Sequence, residues 1–397
     1  MFLNRRSLLL SVLLSGFTGK LQFANAENNV LKPELVKLGN TDLTIPNIGY
    51  GSSSTSDEKI VKHAFNNGIR YFDTAESYHG GDSEISIGNA LKNVRQDVVI
   101  GSKTKARTYD NKRDFMKSLE DSLKRLRTDY IDIYYNHAVN SITRLENTDW
   151  WEFIEKAKLD GKIRYSGVSG HGSNLADCLE YCIDNNLIDI ILSAFSFAQD
   201  PKFLEKLRHT FHFVAINPRL PEVLHKAKTK GIGIIAMKTL AGARLNDMRP
   251  YENEDLTYAQ AAIKWALDTE YADAAIISMT SNSLINELTS STNKKYNNQK
   301  YFSLLKKYYQ INHENICPPG CSSCKNSCPS NVQISEVMRS KMYALDYKNS
   351  KKALITYASI NNNANACLTC SGRPCSNICD YNLDIKKLNT LSHKLLS

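Results

Sequence analysis

The sequence predicts an α/β fold: a (β/α)8 TIM barrel followed by a mainly α-helical, cysteine-rich C-terminal domain. Three observations predict it. From about residue 35 to 290, short β-branched or aromatic runs alternate with helix-period segments. The runs are near-continuously apolar, as strands of a parallel sheet covered on both faces are. Their number, eight, matches a closed barrel of the usual ~250 residues. From about Lys294 the character changes: Tyr, Lys and Asn become frequent, and eight of the ten cysteines crowd into residues 317–379. A boundary near 295–315 therefore divides a barrel over 35–295 from a domain over 310–392.

Taken in order, the N-terminus MFLNRRSLLLSVLLSGFTGKLQFANA carries a short basic region, an apolar run from Leu8 to about Leu14, and Ala24-Asn25-Ala26 as a small-residue cleavage site. This is the layout of an export signal over residues 1–26. The run is too short to span a membrane. Arg5-Arg6 before Ser7-Leu8, with Lys20 behind the apolar run, resembles a twin-arginine signal. The expected location is periplasmic by that route, and no other run reaches a membrane-spanning length.

The barrel strands follow as 45–51, 69–75, 97–103, 130–137, 163–169, 189–195, 231–238 and 274–279. Between them lie segments such as RDFMKSLEDSLKRLRTD, where Phe115, Leu119, Leu123 and Leu126 line one helix face. A ninth strand-like run, FHFVAIN at 211–217, exceeds the count of eight.

Composition narrows the function classes. Hydrophobic content of 42% and charged content of 23% are those of a globular chain with a sizeable core. The net charge of +9 is scattered over short Lys runs such as Lys294-Lys295 and Lys351-Lys352. No basic stripe interleaves with aromatics, which excludes a nucleic-acid partner.

The predicted strand ends carry polar residues. Asp73 ends the second strand and Tyr78 sits in the loop after it; Lys103 ends the third and His137 the fourth. In a barrel these ends share the catalytic face. The set suits carbonyl reduction. Tyr78 supplies a proton to the carbonyl oxygen, Lys103 lowers its pKa, Asp73 holds Lys103, and His137 orients the substrate. Taken singly, each has a plainer role as a helix cap, surface group or strand-end histidine; the conjunction points to chemistry.

The order FDTAESY, GSK, DYIDIYYNH, IRYSGVSGH resembles the aldo/keto reductases over roughly residues 35–290. The resemblance implies Tyr78 as proton donor, with Asp73, Lys103 and His137 completing a tetrad. It also implies a nicotinamide cofactor of the NADP type across the strand ends and a small-molecule carbonyl substrate. Ser169 matches the family serine that holds the nicotinamide amide, whereas Gly170 stands where the family has asparagine. Met237 and Lys238 resemble the segment along the pyrophosphate. Ser281 and Asn282 occupy the stretch after the last strand where a family basic residue would meet a 2′-phosphate, so NAD stays open beside NADP; their alternative role is helix capping.

The tail reads Cys317-x3-Cys321-x2-Cys324-x3-Cys328-Pro329, then Cys367-x2-Cys370-x4-Cys375-x3-Cys379. The two-cluster bacterial ferredoxin run is C-x2-C-x2-C-x3-C-P, its fourth cysteine serving the other cluster. By that logic Cys317, Cys321 and Cys324 share a [4Fe–4S] cluster with Cys379, and Cys367, Cys370 and Cys375 share a second with Cys328. One added residue in the first group and two in the second depart from the pattern. Disulfides, zinc, and one cluster with spare thiols are the alternatives. Cys178 and Cys182 are read as ordinary buried residues.

The expected function is an exported oxidoreductase that interconverts a carbonyl and an alcohol. Iron–sulfur clusters would serve electron transfer or structure, with a redox protein or quinone as partner. The alternatives are a non-catalytic electron-transfer or binding protein on the same scaffold, and a disulfide-stapled reductase without clusters.

Overall fold

The computed structural model describes residues 33–207, 219–241, 247–253, 255–290, 298–312, 317 and 321–397. Residues 1–26 and the run 211–217 lie outside them. A two-stranded antiparallel sheet, β1 (Leu35–Lys37) and β2 (Thr44–Pro46), precedes eight barrel strands. These are β3 (Ile48–Gly51), β4 (Tyr71–Asp73), β5 (Val99–Thr104), β6 (Ile131–Asn136), β7 (Ile163–Gly170), β8 (Ile190–Ala194), β9 (Gly233–Met237) and β10 (Ala274–Ser278). All their pairings are parallel, and β10 closes on β3. The barrel expected from the sequence is therefore present, with one strand for each of the eight runs.

The first run differs in detail. The expected strand 45–51 is two elements, broken at Asn47, whose N–H donates to the Glu34 carbonyl at 2.7 Å. Its first half pairs in the hairpin and its second enters the barrel. The hairpin plugs the N-terminal end of the barrel: Leu38, Leu43 and Ile45 pack with Tyr71, Ile133, Tyr135, Ile190, Leu192 and Ile235 in the barrel interior. Asn40 N–H donates to the Gly231 carbonyl at 2.7 Å, at the entry to β9. Gly39 is required at that approach, because it has φ 51° and a Cβ on it would lie 2.3 Å from the Gly231 oxygen.

The helices form where the 3.6-residue period predicts. Lys112–Leu126 opens on a capping box between Asn111 and Asp114 and buries Phe115, Leu119, Leu123 and Leu126. Glu58–Asn66 is capped by Asp57, whose carboxylate accepts from Lys59 N–H.

After the barrel come helices Asn298–Asn312, Ile334–Lys341, Ser350–Ala358, Pro374–Asn377 and Ile385–Leu396, with a π-helical turn at Met342–Asp346. This segment packs on the barrel within one compact unit, residues 31–397. Tyr308 Oη donates to the Ala241 carbonyl at 3.0 Å and Tyr381 Oη to the Ala198 carbonyl at 2.8 Å. One hydrophobic cluster runs from Leu179 and Phe197 of the barrel through Tyr308 to Val337 and Leu383 of the tail. Among the described residues no helix is long and apolar enough to cross a membrane.

Candidate active site at the barrel mouth

Parallel register delivers the expected residues to one face. Asp73 is the last residue of β4, opposite Gly101 of β5; two residues on, Lys103 lies opposite Tyr135 of β6; His137 follows the end of β6. Tyr78 reaches them through a loop pinned to β5, since Thr74 N–H donates to the Gly101 carbonyl and Glu76 N–H to the Lys103 carbonyl. Beyond Tyr78 the chain turns sharply. His79, Gly80 and Gly81 take φ of 52°, 67° and 102° before the helix Asp82–Leu91 begins. Glycine suits such angles because it lacks a Cβ.

The four side chains converge. Lys103 Nζ donates to Asp73 Oδ1 at 2.5 Å and to the Thr74 carbonyl at 2.5 Å. It lies 5.1 Å from the centre of the Tyr78 ring. The Tyr78 and His137 rings meet edge to face with centroids 5.7 Å apart. Below them, Tyr71 Oη donates to Asp73 Oδ2 at 3.3 Å and lies 3.1 Å from Tyr135 Oη. These two tyrosines support the carboxylate from inside the barrel.

Burial opposes both charges of the ion pair, pushing Asp73 up and Lys103 down, and each partner partly offsets the shift of the other. For Tyr78 the outcome differs from the expectation that Lys103 lowers its pKa. Burial pushes the Tyr78 phenol up, and the charges of Asp73 and Tyr343 add to the rise. The physical reason is that the phenol is buried, so a phenolate would form away from water and beside the Asp73 carboxylate. Tyr78 is therefore held as the protonated acid. Burial likewise depresses His137 well below the usual histidine range, aided by Lys103, Lys105, Arg144 and Lys238. A neutral imidazole results, able to donate a hydrogen bond without carrying charge.

The expected cofactor residues lie on the same face. Ser169 is buried near the end of β7, and its Oγ accepts from Ala138 N–H at 3.3 Å. Met237 ends β9, and Lys238 after it adopts φ 58°. Ser281 caps the helix Asn282–Thr289, its Oγ accepting from Leu284 N–H. This is the capping alternative, and it leaves the helix N-terminus facing out beyond β10. Cys178 and Cys182 are buried, as expected, and burial pushes both thiols up.

Sequence reasoning missed what the tail contributes here. Arg339, on the helix Ile334–Lys341, donates from Nη2 to the His171 carbonyl at 2.7 Å, just beyond the end of β7. Tyr343, in the π-helical turn, is buried, and Lys352 Nζ stands 4.5 Å from its ring centre. Arg144 fixes the loop after β6 by donating to the carbonyls of His137 and Ala138 and to Asn136 Oδ1. The tail residues stand roughly 260 to 275 positions from Tyr78 and carry no local signal of such contacts.

Burial pushes the Tyr343 phenol up, but Lys238, Lys352 and Arg339 outweigh it and bring the pKa down to about 8. Ultraviolet difference titration should show one of the twenty tyrosines ionising near pH 8, and that step should vanish in Tyr343→Phe. Because the folded pKa lies below the ordinary 10, ionisation adds stability as pH rises from about 8 towards 10 and that gain is lost as pH falls through 8.

Among the described residues none of the eight tail cysteines is joined in a disulfide. Among the described residues no three His, Cys, Asp or Glu side chains form a group able to hold a metal ion. The thiols nonetheless fall into two neighbourhoods. Cys317 is pushed up by burial and by Cys321, Cys324 and Cys379. Burial likewise raises Cys375, with Cys328 and Cys367 adding to it, and raises Cys367, with Cys328 and Cys370 adding. Cys324 feels Cys375 as well, so the sets adjoin. Val332 N–H donates to Cys328 Sγ at 3.4 Å and Asn389 Nδ2 to Cys367 Sγ at 3.7 Å.

Comparison with known proteins places this geometry. The profile described as the aldo/keto reductase family matches residues 38–308. An uncharacterized oxidoreductase of Bacillus subtilis, YqkF, is 31% identical over 247 residues, which cover 57% of this chain and 76% of that one. The L-galactose dehydrogenase of Arabidopsis thaliana is 30% identical over 244 residues, 56% of this chain and 70% of the relative. Among solved structures, an aldo-keto reductase from Klebsiella pneumoniae superposes with a TM-score of 0.55 at 22% identity, covering 70% of this chain and 95% of that one, a likeness of fold.

Proposed function

The chain belongs to the aldo/keto reductase family and is an oxidoreductase, and from that premise we propose that it interconverts a small-molecule carbonyl and its alcohol at the mouth of the barrel, with NADP(H) as cofactor. The observation that carries this reading is the convergence of Tyr78, His137 and the Lys103–Asp73 pair on one face. A nicotinamide held there would supply hydride to the carbonyl carbon. Tyr78 gives its proton to the carbonyl oxygen as negative charge builds there. His137, neutral, donates to the same oxygen and orients it.

The chain's own groups fit such a cofactor. Thr239 Oγ1 is buried without a hydrogen-bond partner. Lys238 beside it makes no ion pair with an acid among the described residues. Both lie between Ser169 and the Ser281 cap, where the amide, the pyrophosphate and the 2′-phosphate would be held. Fluorescence titration with NADPH and NADH, followed by NADPH-dependent reduction of an aldehyde, tests the reading. Binding of neither nicotinamide overturns it.

For the tail the reading is two [4Fe–4S] clusters, with Cys317, Cys321, Cys324 and Cys379 on one and Cys328, Cys367, Cys370 and Cys375 on the other. The thiol neighbourhoods support this crossed grouping, as do the N–H donors aimed at Cys328 and Cys367. Hydride moves two electrons and each cluster one, so a structural role fits the barrel chemistry best. The two cysteine groups bracket residues 329–366, the stretch that brings Arg339 and Tyr343 to the mouth. Crossed ligands would tie its ends together. Protein purified without oxygen should be brown and contain iron and acid-labile sulfide, and Cys379→Ser should lower both. Colourless protein without iron and without free thiols establishes disulfides instead.

Residues 1–26 complete the proposal as a twin-arginine export signal with a periplasmic destination. That route carries folded protein, so both cofactors would be installed before export.

A further inference from the structure

Positive charge collects at the mouth beyond what the tetrad uses. Arg339 is 6% exposed, yet its guanidinium donates to a neutral carbonyl, that of His171. Among the described residues it forms no ion pair with a carboxylate. Glu336, one turn earlier, directs Oε1 to Asn140 and to the Ser173 N–H instead. Lys238 has no acidic partner either; Tyr343 raises its pKa, but burial, Arg339 and Lys352 lower it. His171, between them, is held well below the usual histidine range by burial and by Arg339, Lys238 and His137, and its Nδ1 is buried without a partner. Tyr343 joins this group to the acid, since it lies close enough to act on Tyr78.

A buried cation without a counter-ion is unfavourable unless a ligand supplies the charge. Arg is also suited to bidentate contact with carboxylate or phosphate. We propose that Arg339, with His171 and Tyr343 beside it, forms a recognition site for an oxyanion carried by the carbonyl substrate, so that the tail selects aldehydes or ketones bearing a carboxylate or phosphate. This rests on carbonyl reduction at Tyr78. The oxyanion sits on the tail side of the mouth and the carbonyl between Tyr78 and His137. Tyr343, ionising near pH 8, competes for the Arg339 charge, so the site favours the anion below that pH.

The test compares 4-formylbenzoate with its methyl ester, two aldehydes of similar shape that differ in charge. The readout is the ratio of their kcat/KM values with NADPH. Wild-type protein should prefer the acid, and Arg339→Met should reduce that ratio by roughly thirty-fold or more, the loss typical when one partner of a buried charge pair is removed. Arg339→Lys should recover part of it. A loss that falls equally on acid and ester makes Arg339 a structural residue and overturns the proposal, as does weakened NADPH binding with an unchanged ratio, which assigns the cations to the cofactor's pyrophosphate. If wild-type protein reduces neither aldehyde, the carbonyl-reduction reading fails by itself. Calorimetric titration with benzoate then decides the site: binding by wild type and its loss in Arg339→Met sustains an oxyanion site, and absence of binding overturns it.

Discussion

Replacing Tyr78 with phenylalanine should lower kcat/KM for NADPH-dependent aldehyde reduction by about 10²- to 10⁴-fold, the usual contribution of a positioned general acid. The ring remains, so its edge contact with His137 and its cover over Lys103 persist. Only the hydroxyl is lost. Steady-state rates with saturating NADPH measure the effect, and an NADPH fluorescence titration separates it from lost cofactor affinity. Turnover at the parental rate would remove Tyr78 from the mechanism. The pH profile carries a second signature. Reduction needs the protonated phenol, and burial with the Asp73 charge keeps the pKa above its ordinary 10. The wild-type rate should therefore show no fall from phenol ionisation below pH ~10. A fall near neutrality would mean that the field of Lys103 outweighs burial at the phenol.

That reversal marks the line between what was legible in the sequence and what was not. The barrel was legible because each strand is a short apolar run and each helix repeats with its own period. Asp73, Lys103 and His137 were legible because strand ends in a barrel share a face whatever the loops do. The sign of the Tyr78 shift was not, because it depends on how deeply the phenol is buried and on the charges of Asp73 and Tyr343 around it. The break at Asn47 was hidden because TIP and IGYG read as one apolar run. The hydrogen bond to Glu34 that divides them belongs to the hairpin register. The tail shows the same limit. Its cysteine spacing was plain, but the placement of Arg339 beside His171 arises from packing across 168 residues. The long separation leaves no periodic trace.

Lys103→Met should destabilise the protein by about 3–5 kcal/mol, the range seen when one partner of a buried ion pair is removed. Lys103 is 1% exposed and Asp73 2%, so neither charge has water to fall back on. Without the ammonium, the Asp73 carboxylate keeps only the hydroxyl of Tyr71 as a hydrogen-bond donor among the described contacts. Urea unfolding, read at the midpoint with the slope held constant, measures the change. Adding Asp73→Asn to Lys103→Met should return much of the lost stability, because the orphaned charge goes and the amide still meets Tyr71. Activity should not return with it. Lys103 also bonds the Thr74 carbonyl, and so holds the loop that carries Tyr78 against β5. With Met in its place that loop loses its anchor, and the phenol loses the cation that faces its ring. A stable but inactive double variant assigns the pair to positioning of the acid. A double variant that recovers both stability and rate reduces Lys103 to a counter-ion for Asp73, with no part in delivering the proton.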